Sequence, residues 1–162
     1  MRAFYERYAG YLTAVCSRYV VDRSDVKDIL QEAFVKIFQR LDQFEFRGEG
    51  SIKAWVTRIV VNDSLSFLRS SSRLTFVDDL PDVPEDDVPS LPKVPPSVIQ
   101  EMIKALPDGY RTVFNLYVFE NKSHREIASL LGIKEDSSAS QFFRARATLA
   151  KNIKDYIKEH EQ

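Results

Sequence analysis

Apolar positions keep helical phase over most of the chain. From Ser24 to about Asp42 they stand at Val26, Ile29, Leu30, Ala33, Phe34, Ile37, Phe38 and Leu41, the spacing of a helix with one buried face. An earlier stripe of Phe4, Tyr8, Tyr11, Leu12, Val15 and Tyr19 predicts a helix over residues 3–21, broken by Asp22-Arg23-Ser24. Ser24 is the expected cap of the second helix, with Asp25 and Asp28 in its first turn, where the helix dipole favours negative charge. A third helix is predicted from Ser51, as its cap, to about residues 70–72, with Ile52, Trp55, Val56, Ile59, Leu65 and Leu68 facing inward. Between the second and third helices lies a loop rich in aromatics and glycine, 43–50. Three such stripes are enough to close one small core.

The pattern then fails. Six of the seven prolines fall between Leu74 and Pro96, among Asp78, Asp79, Asp82, Glu85, Asp86 and Asp87. Proline forbids regular helix, and repelling charge with little apolar content opposes a core, so 74–96 is expected to be a flexible, extended linker. Helical phase returns at Ser97, where Gln100 would complete a capping box before Val98, Ile99, Met102, Ile103 and Leu106. Pro107-Asp108-Gly109 resets the chain before a helix over 110–119 carrying Val113, Phe114, Tyr117 and Val118. Ser123 and Glu126 form a second capping-box pattern ahead of Ile127, Ala128, Leu130 and Leu131, and Gly132 stops that helix. From Ser137 a long helix runs towards His160. A short capped helix, a glycine turn and a longer helix make a helix-turn-helix pattern. The predicted fold is all-α: two small helical domains, 1–73 and 97–162, joined by the acidic, proline-rich linker.

Composition narrows the function more by exclusion than by assertion. At 162 residues, 44% hydrophobic and 29% charged, the chain fits one ordinary domain or two small ones. The single Cys16 excludes an intramolecular disulfide framework; it sits in the first apolar stripe and reads as a buried packing thiol. No run approaches the ~20 apolar residues of a membrane span, and the first residues lack a signal-peptide pattern, so an intracellular location is expected. His124 and His160 are the only histidines, and there is no Cys/His cluster, Walker loop or G-x-S-x-G elbow. Catalysis, metal and cofactor are therefore not expected.

The net charge of −1 hides an uneven distribution. Residues 1–73 hold 12 basic against 9 acidic side chains, 74–101 hold 1 against 7, and 102–162 hold 10 against 8. Two mildly basic lobes flank an acidic strap. Neither has the basic stripe of a protein that grips DNA unaided, which fits a factor that meets DNA inside a larger assembly. One surface is unusual for water alone. The outer row of the second helix, Asp28, Gln31, Glu32, Val35 and Gln39, has a valine in its middle.

The segment 24–69 resembles region 2 of bacterial sigma factors of the small extracytoplasmic-function (ECF) class. The resemblance rests on D-x-x-D-I-L-Q-E-A-F at 25–34, L-D at 41–42, F-R-G-E-G-S at 46–51 and W-V-T-R-I-V-V-N at 55–62. Residues 106–149, from L-P-D-G-Y-R-T-V-F-N-L-Y through S-H-R-E-I-A-S-L-L-G-I to F-F-R-A-R-A-T-L, look like region 4 of the same class. The resemblance implies a bacterial, cytoplasmic, alternative sigma factor that binds core RNA polymerase and directs promoter recognition, melting and initiation. Its partners would be the polymerase clamp coiled coil and flap, promoter DNA and an anti-sigma factor.

Residue by residue, the resemblance places the Asp28, Gln31, Glu32, Val35 and Gln39 face on the clamp coiled coil. It makes the loop a pocket for a flipped base of the −10 element, capped by Asn62 through a hydrogen bond. Base–aromatic stacking is worth about 1–3 kcal/mol per base, and both Phe44 and Phe46 are candidates, because the loop is two residues longer than usual. Arg47, Ser51, Lys53, Trp55, Arg58 and Arg69 line or flank this site, the basic residues on phosphates. In the last helix the family often has basic residues near the start, where this chain has Ser137, Ser138, Ala139, Ser140 and Gln141. Ser138, Gln141 and Arg144 are expected to face the −35 element in the major groove, beside Ser140, with Ser137 and Arg146 nearer phosphates. Two other readings remain open at this point: a stand-alone helix-turn-helix regulator and a protein-binding helical adaptor.

Overall fold

A computed structural model of the chain describes residues 2–71, 74, 76 and 94–160. Within them the chain forms seven α-helices and one 3-10 turn and no strand: α1 (Arg2–Tyr19), α2 (Arg23–Arg40), the 3-10 turn Leu41–Gln43, α3 (Ser51–Ser70), α4 (Pro96–Lys104), α5 (Asp108–Val118), α6 (His124–Leu131) and α7 (Glu135–His160). The chain divides into two units, Met1–Leu74 and Thr75–Gln162. The linker expected over 74–96 falls almost wholly outside the described residues; at its end Pro95 and Pro96 already start α4, one residue before the expected Ser97.

The first unit is a three-helix core in which each helix packs on the other two. Leu12, Val15, Cys16 and Tyr19 from α1 meet Val26, Ile29, Ala33 and Ile37 from α2 and Val56, Val60, Leu65 and Leu68 from α3. Each such aliphatic side chain contributes about 1.5–3 kcal/mol on full burial. Cys16 is the packing thiol its stripe predicts: Ser64 Oγ donates to its Sγ at 3.4 Å, and burial raises its pKa above the ordinary 9.0. Lys36 Nζ and Asp63 Oδ1, 2.7 Å apart, tie α2 to α3 at the edge of this core.

Two of the expected caps in this unit are corrected. Asp22, with extended backbone, caps α2: its Oδ1 accepts the N–H groups of Ser24 at 2.9 Å and Asp25 at 3.2 Å. Ser24 is already inside the first turn, where its hydroxyl is past the capping position. Likewise Gly50 holds the N-cap place of α3 with φ +83°, and Ser51 is the first helical residue. Ser51 Oγ instead accepts the Arg47 N–H at 3.2 Å, closing the loop back on itself.

In the second unit α7 is the spine, packed against α4, α5 and α6. Ile103, Leu106, Ala145 and Leu149 are buried together, covered by Ile99, Met102, Tyr110 and Phe114. Pro95 stands at the N-cap of α4 with no side-chain cap bond, so the expected Ser97–Gln100 capping box does not form; Pro96, the first helical residue, pre-sets the first turn instead. The second capping box does form. Ser123 Oγ accepts the Glu126 N–H at 3.1 Å and Glu126 Oε1 accepts the Ser123 N–H at 3.2 Å. That backbone bond from Ser123, first among the causes, pulls the Glu126 carboxyl below its usual range. Gly132 ends α6 at φ +67°, as its place in the sequence predicts. Among the described residues, no helix is long and apolar enough to cross a membrane.

Candidate functional site

The outer face of α2 is built as the hydrophobic phase dictates. Val26, Ile29, Leu30, Ala33 and Ile37 turn inward, so Asp28, Gln31, Glu32, Val35 and Gln39 all emerge on the opposite side, exposed. Val35 is 55% exposed amid that polar row. Two carboxylates and two amides around one apolar side chain make a surface able to form charge-assisted and neutral hydrogen bonds around a small desolvated centre.

The loop between the 3-10 turn and α3 is held by its glycines. Gly48 and Gly50 sit at φ +111° and +83°, in the left-handed region. A Cβ added at either would meet nothing within 4 Å, so backbone conformation, not close packing, asks for glycine. The two phenylalanines then part ways. Phe44 is half-buried against Trp55, with ring centroids 4.9 Å apart, whereas Phe46 is 73% exposed. Arg47 lies over Glu45 at 3.4 Å, both exposed. On α3 the side chains of Lys53, Arg58, Asn62 and Arg69 are exposed and Trp55 and Ser51 half-buried. Trp55, Arg58 and Asn62 follow one another at helical spacing along a single face.

The last helix corrects the expectation most. Ser138 is 0% and Gln141 1% exposed, so neither side chain faces outward towards DNA. Ser138 Oγ lies 2.9 Å from Nδ1 of His124, whose ring stacks on Tyr117 at 4.7 Å. The physical reason is phase. Positions 138, 141, 145 and 149 form the stripe with which α7 packs on the rest of the unit. The opposite face carries Ala139, Ser140, Phe143 and Arg146, all exposed, with Ser137 and Arg144 half-exposed at its borders. Phe143, 43% exposed, was missed by residue-type reasoning. Counting back in steps of four from Leu149 and Ala145 would have put position 141 inside and 143 outside.

A third feature had no counterpart in the sequence reading: a cavity of about 520 Å³ between the start of α3, the loop and α1, lined among others by Arg7, Tyr8, Tyr11, Phe46 and Lys53. Among the described residues, no group of three or more His, Cys, Asp or Glu side chains is placed to hold a metal.

Comparison with known proteins gives these surfaces a family. The description of sigma-70 region 2 matches residues 4–74 and that of sigma-70 region 4 matches residues 97–149, so the two together span about three quarters of the chain. The ECF RNA polymerase sigma-E factor of Haemophilus influenzae is 26% identical, with 91% of this chain and 84% of the relative covered. That of Escherichia coli K12 is also 26% identical, over 94% and 85%. In fold, the chain is similar to the sigma factor RpoE of Bartonella quintana in its structure with the anti-sigma factor NepR, with a TM-score of 0.53 at 18% identity over 95% of this chain and 98% of that one. Two helical units carrying regions 2 and 4 in order define a sigma-70-type transcription initiation factor. The chain belongs to the ECF sigma factor family.

Proposed function

We propose that this chain is an alternative sigma factor that docks on core RNA polymerase and directs it to promoters by reading a −10 element with the first unit and a −35 element with the second. The domain limits follow the same reading: 1–73 and 97–162 as the two working parts, with the acidic 74–96 between them. Docking uses the Asp28, Gln31, Glu32, Val35 and Gln39 face, laid on the clamp coiled coil, while the second unit meets the flap. The observation that carries the reading is Val35, held out in water by a helix whose other apolar residues are buried or, in the case of Phe38, half-buried. Covering what remains exposed of that side chain is worth about 1 kcal/mol, or roughly fivefold in affinity.

In the first unit Phe46 is the ring that stacks on the flipped −10 base, because it is the exposed one, and Phe44 supports Trp55 behind it. Asn62 hydrogen-bonds the base, and Arg47, Lys53, Arg58 and Arg69 take phosphates, with Ser51 keeping the loop closed through Arg47. Opening the duplex then draws on binding energy with no chemical step; unstacking a base costs a few kcal/mol, which the pocket recovers. In the second unit the reading face is Ser137, Ser140, Arg144 and Arg146, to which Phe143 adds an apolar contact suited to a thymine methyl. An anti-sigma factor that covers these faces would keep the protein idle in the bacterial cytoplasm.

The test is a pull-down with bacterial core RNA polymerase, wild type beside a Gln31→Ala/Glu32→Ala/Val35→Ala variant. The reading expects polymerase retained by wild type and lost by a variant whose circular dichroism is unchanged. Wild type that ignores polymerase yet binds duplex DNA alone would make the chain a stand-alone regulator.

A further inference from the structure

The cavity between α1 and the loop is polar and aromatic at once. Tyr8, Tyr11 and Phe46 supply rings, Arg7 and Lys53 supply cations, and Glu49 supplies a carboxylate. Its volume, about 520 Å³, falls within the range of roughly 300–1,000 Å³ typical of small-ligand sites. Both cations rest on rings. Lys53 Nζ sits 4.4 Å from the centre of the Tyr11 ring, and Arg7 Cζ sits 5.7 Å from that of Tyr8. Neither has a carboxylate partner among the described residues. The Tyr11 ring is itself fixed. Its hydroxyl lies 2.9 Å from Thr57 Oγ1, and Thr57 Oγ1 also donates to the Lys53 carbonyl at 2.6 Å. One turn of α3 thus holds both the ring and the ammonium that sits on it, before any ligand arrives.

We propose that this cavity continues the −10 site past the Trp55–Asn62 face onto α1 as a further nucleotide subsite, in which Arg7 and Lys53 hold a phosphate and Tyr8 and Phe46 hold the attached base. Rings beside unpaired cations are the chemistry that takes a flat base with its phosphate, since stacking is indifferent to base identity and the cations are already desolvated on one side by the tyrosines. Glu49, the one carboxylate in the lining, is a hydrogen-bond acceptor for an exocyclic amine of the base. Lys53 and Phe46 belong to the proposed −10 site, so the inference rests on that reading and extends it to α1, which would grip the strand next to the flipped base. A free nucleotide has the same chemistry, and the two sources are separable.

The experiment uses the full chain bound to core RNA polymerase and two probes: a fluorescein-labelled single-stranded DNA 12-mer of mixed sequence, and AMP as competitor. Tyr8→Ala should weaken 12-mer binding about tenfold. Arg7→Gln, which leaves the −10 contacts untouched, should lower the slope of log affinity against log salt by up to about 0.7, the value for one phosphate on a single strand; a loss of structure alone would not shorten that slope. AMP that displaces no 12-mer assigns the site to the promoter strand. AMP that competes with wild type and fails to compete with Arg7→Gln shows that free nucleotides also enter. The proposal is overturned if both variants bind the 12-mer with wild-type affinity and salt slope while Asn62→Ala weakens it, a result that leaves the −10 reading standing. If Asn62→Ala also binds like wild type, the −10 reading fails along with it.

Discussion

Arg111 offers the sharpest test of what holds the second unit together. It is 3% exposed, and its guanidinium reaches back across the α4–α5 corner. Nη1 donates to the Leu106 carbonyl at 2.9 Å and to the Lys104 carbonyl at 3.4 Å, while Nη2 pairs with Asp108. The corner is the C-terminal end of α4, where carbonyls have no helical partner, so a buried cation both bonds them and opposes the helix dipole. Arg111→Ala removes at least one full charged hydrogen bond, worth about 1.5–3 kcal/mol, and leaves the Leu106 carbonyl short of a donor for another 1–3 kcal/mol or so. Asp108 is 34% exposed and regains solvent, so its side of the pair adds little. The expected cost is about 3 kcal/mol. For a unit of this size, at about 4–8 °C per kcal/mol, that is a fall in Tm of roughly 12–24 °C. Trp55, the one tryptophan, lies in α3 of the other unit, so its fluorescence follows the first unit only, whereas far-UV circular dichroism follows both. Heating the full-length variant should split the two signals, with ellipticity lost early and the Trp55 transition unmoved. Arg111→Lys should recover only part of the loss, since an ammonium lacks the fork. A variant within 0.5 kcal/mol of wild type would refute this account of the corner.

The correction on α7 makes an opposite pair of predictions. Gln141→Ala should destabilise the second unit by about 1–3 kcal/mol in urea, whereas Arg146→Ala should leave urea midpoints unchanged and weaken promoter DNA binding by holoenzyme in filter binding. Equal effects of the two on DNA binding, with no loss of stability for Gln141→Ala, would restore the outward reading of Gln141. Cys16 gives a pH dependence. Its pKa is raised in the folded state by burial, so the thiol's contribution is fully present below the unfolded value of about 9.0 and is lost as pH rises through the folded value. The Trp55-monitored urea midpoint should therefore fall more between pH 7.5 and 9.5 in wild type than in Cys16→Ala; parallel declines would remove Cys16 from the cause.

Much of the fold was legible because each stripe is long and in phase. The buried residues of α2 are among those the three-and-four spacing selects, and Ser123-x-x-Glu126 with Gly132 bounded α6 correctly; on α3 the spacing found Val56, Ile59, Leu65 and Leu68, but Ile52 and Trp55 are only half-buried and the buried Thr57, Val60, Val61 and Ser64 were not picked out. Caps were read less well where several candidates stood together. Asp22 and Ser24 are both good capping residues, and only the extended backbone at Asp22 separates them. Glycine at 50 displaced Ser51 because a left-handed residue precedes the helix there. On α7 residue type misled: serine and glutamine suit base edges, but the packing phase set by Ala145 and Leu149 turns 138 and 141 inward. The α1 cavity was illegible, since Tyr8 and Tyr11 looked like core residues and nothing in sequence spacing brings Arg7 to Lys53.

On the proposed reading, the chain gives core RNA polymerase its choice of promoter. The most direct measurement is run-off transcription by purified bacterial core polymerase on genomic DNA of the source organism, with and without the chain, followed by mapping of the 5′ ends. The expected outcome is a small set of transcripts made only when the chain is present, starting downstream of shared −35 and −10 sequences and lost with Gln31→Ala/Glu32→Ala/Val35→Ala. Identical transcript profiles with and without a chain that demonstrably binds the polymerase would contradict it.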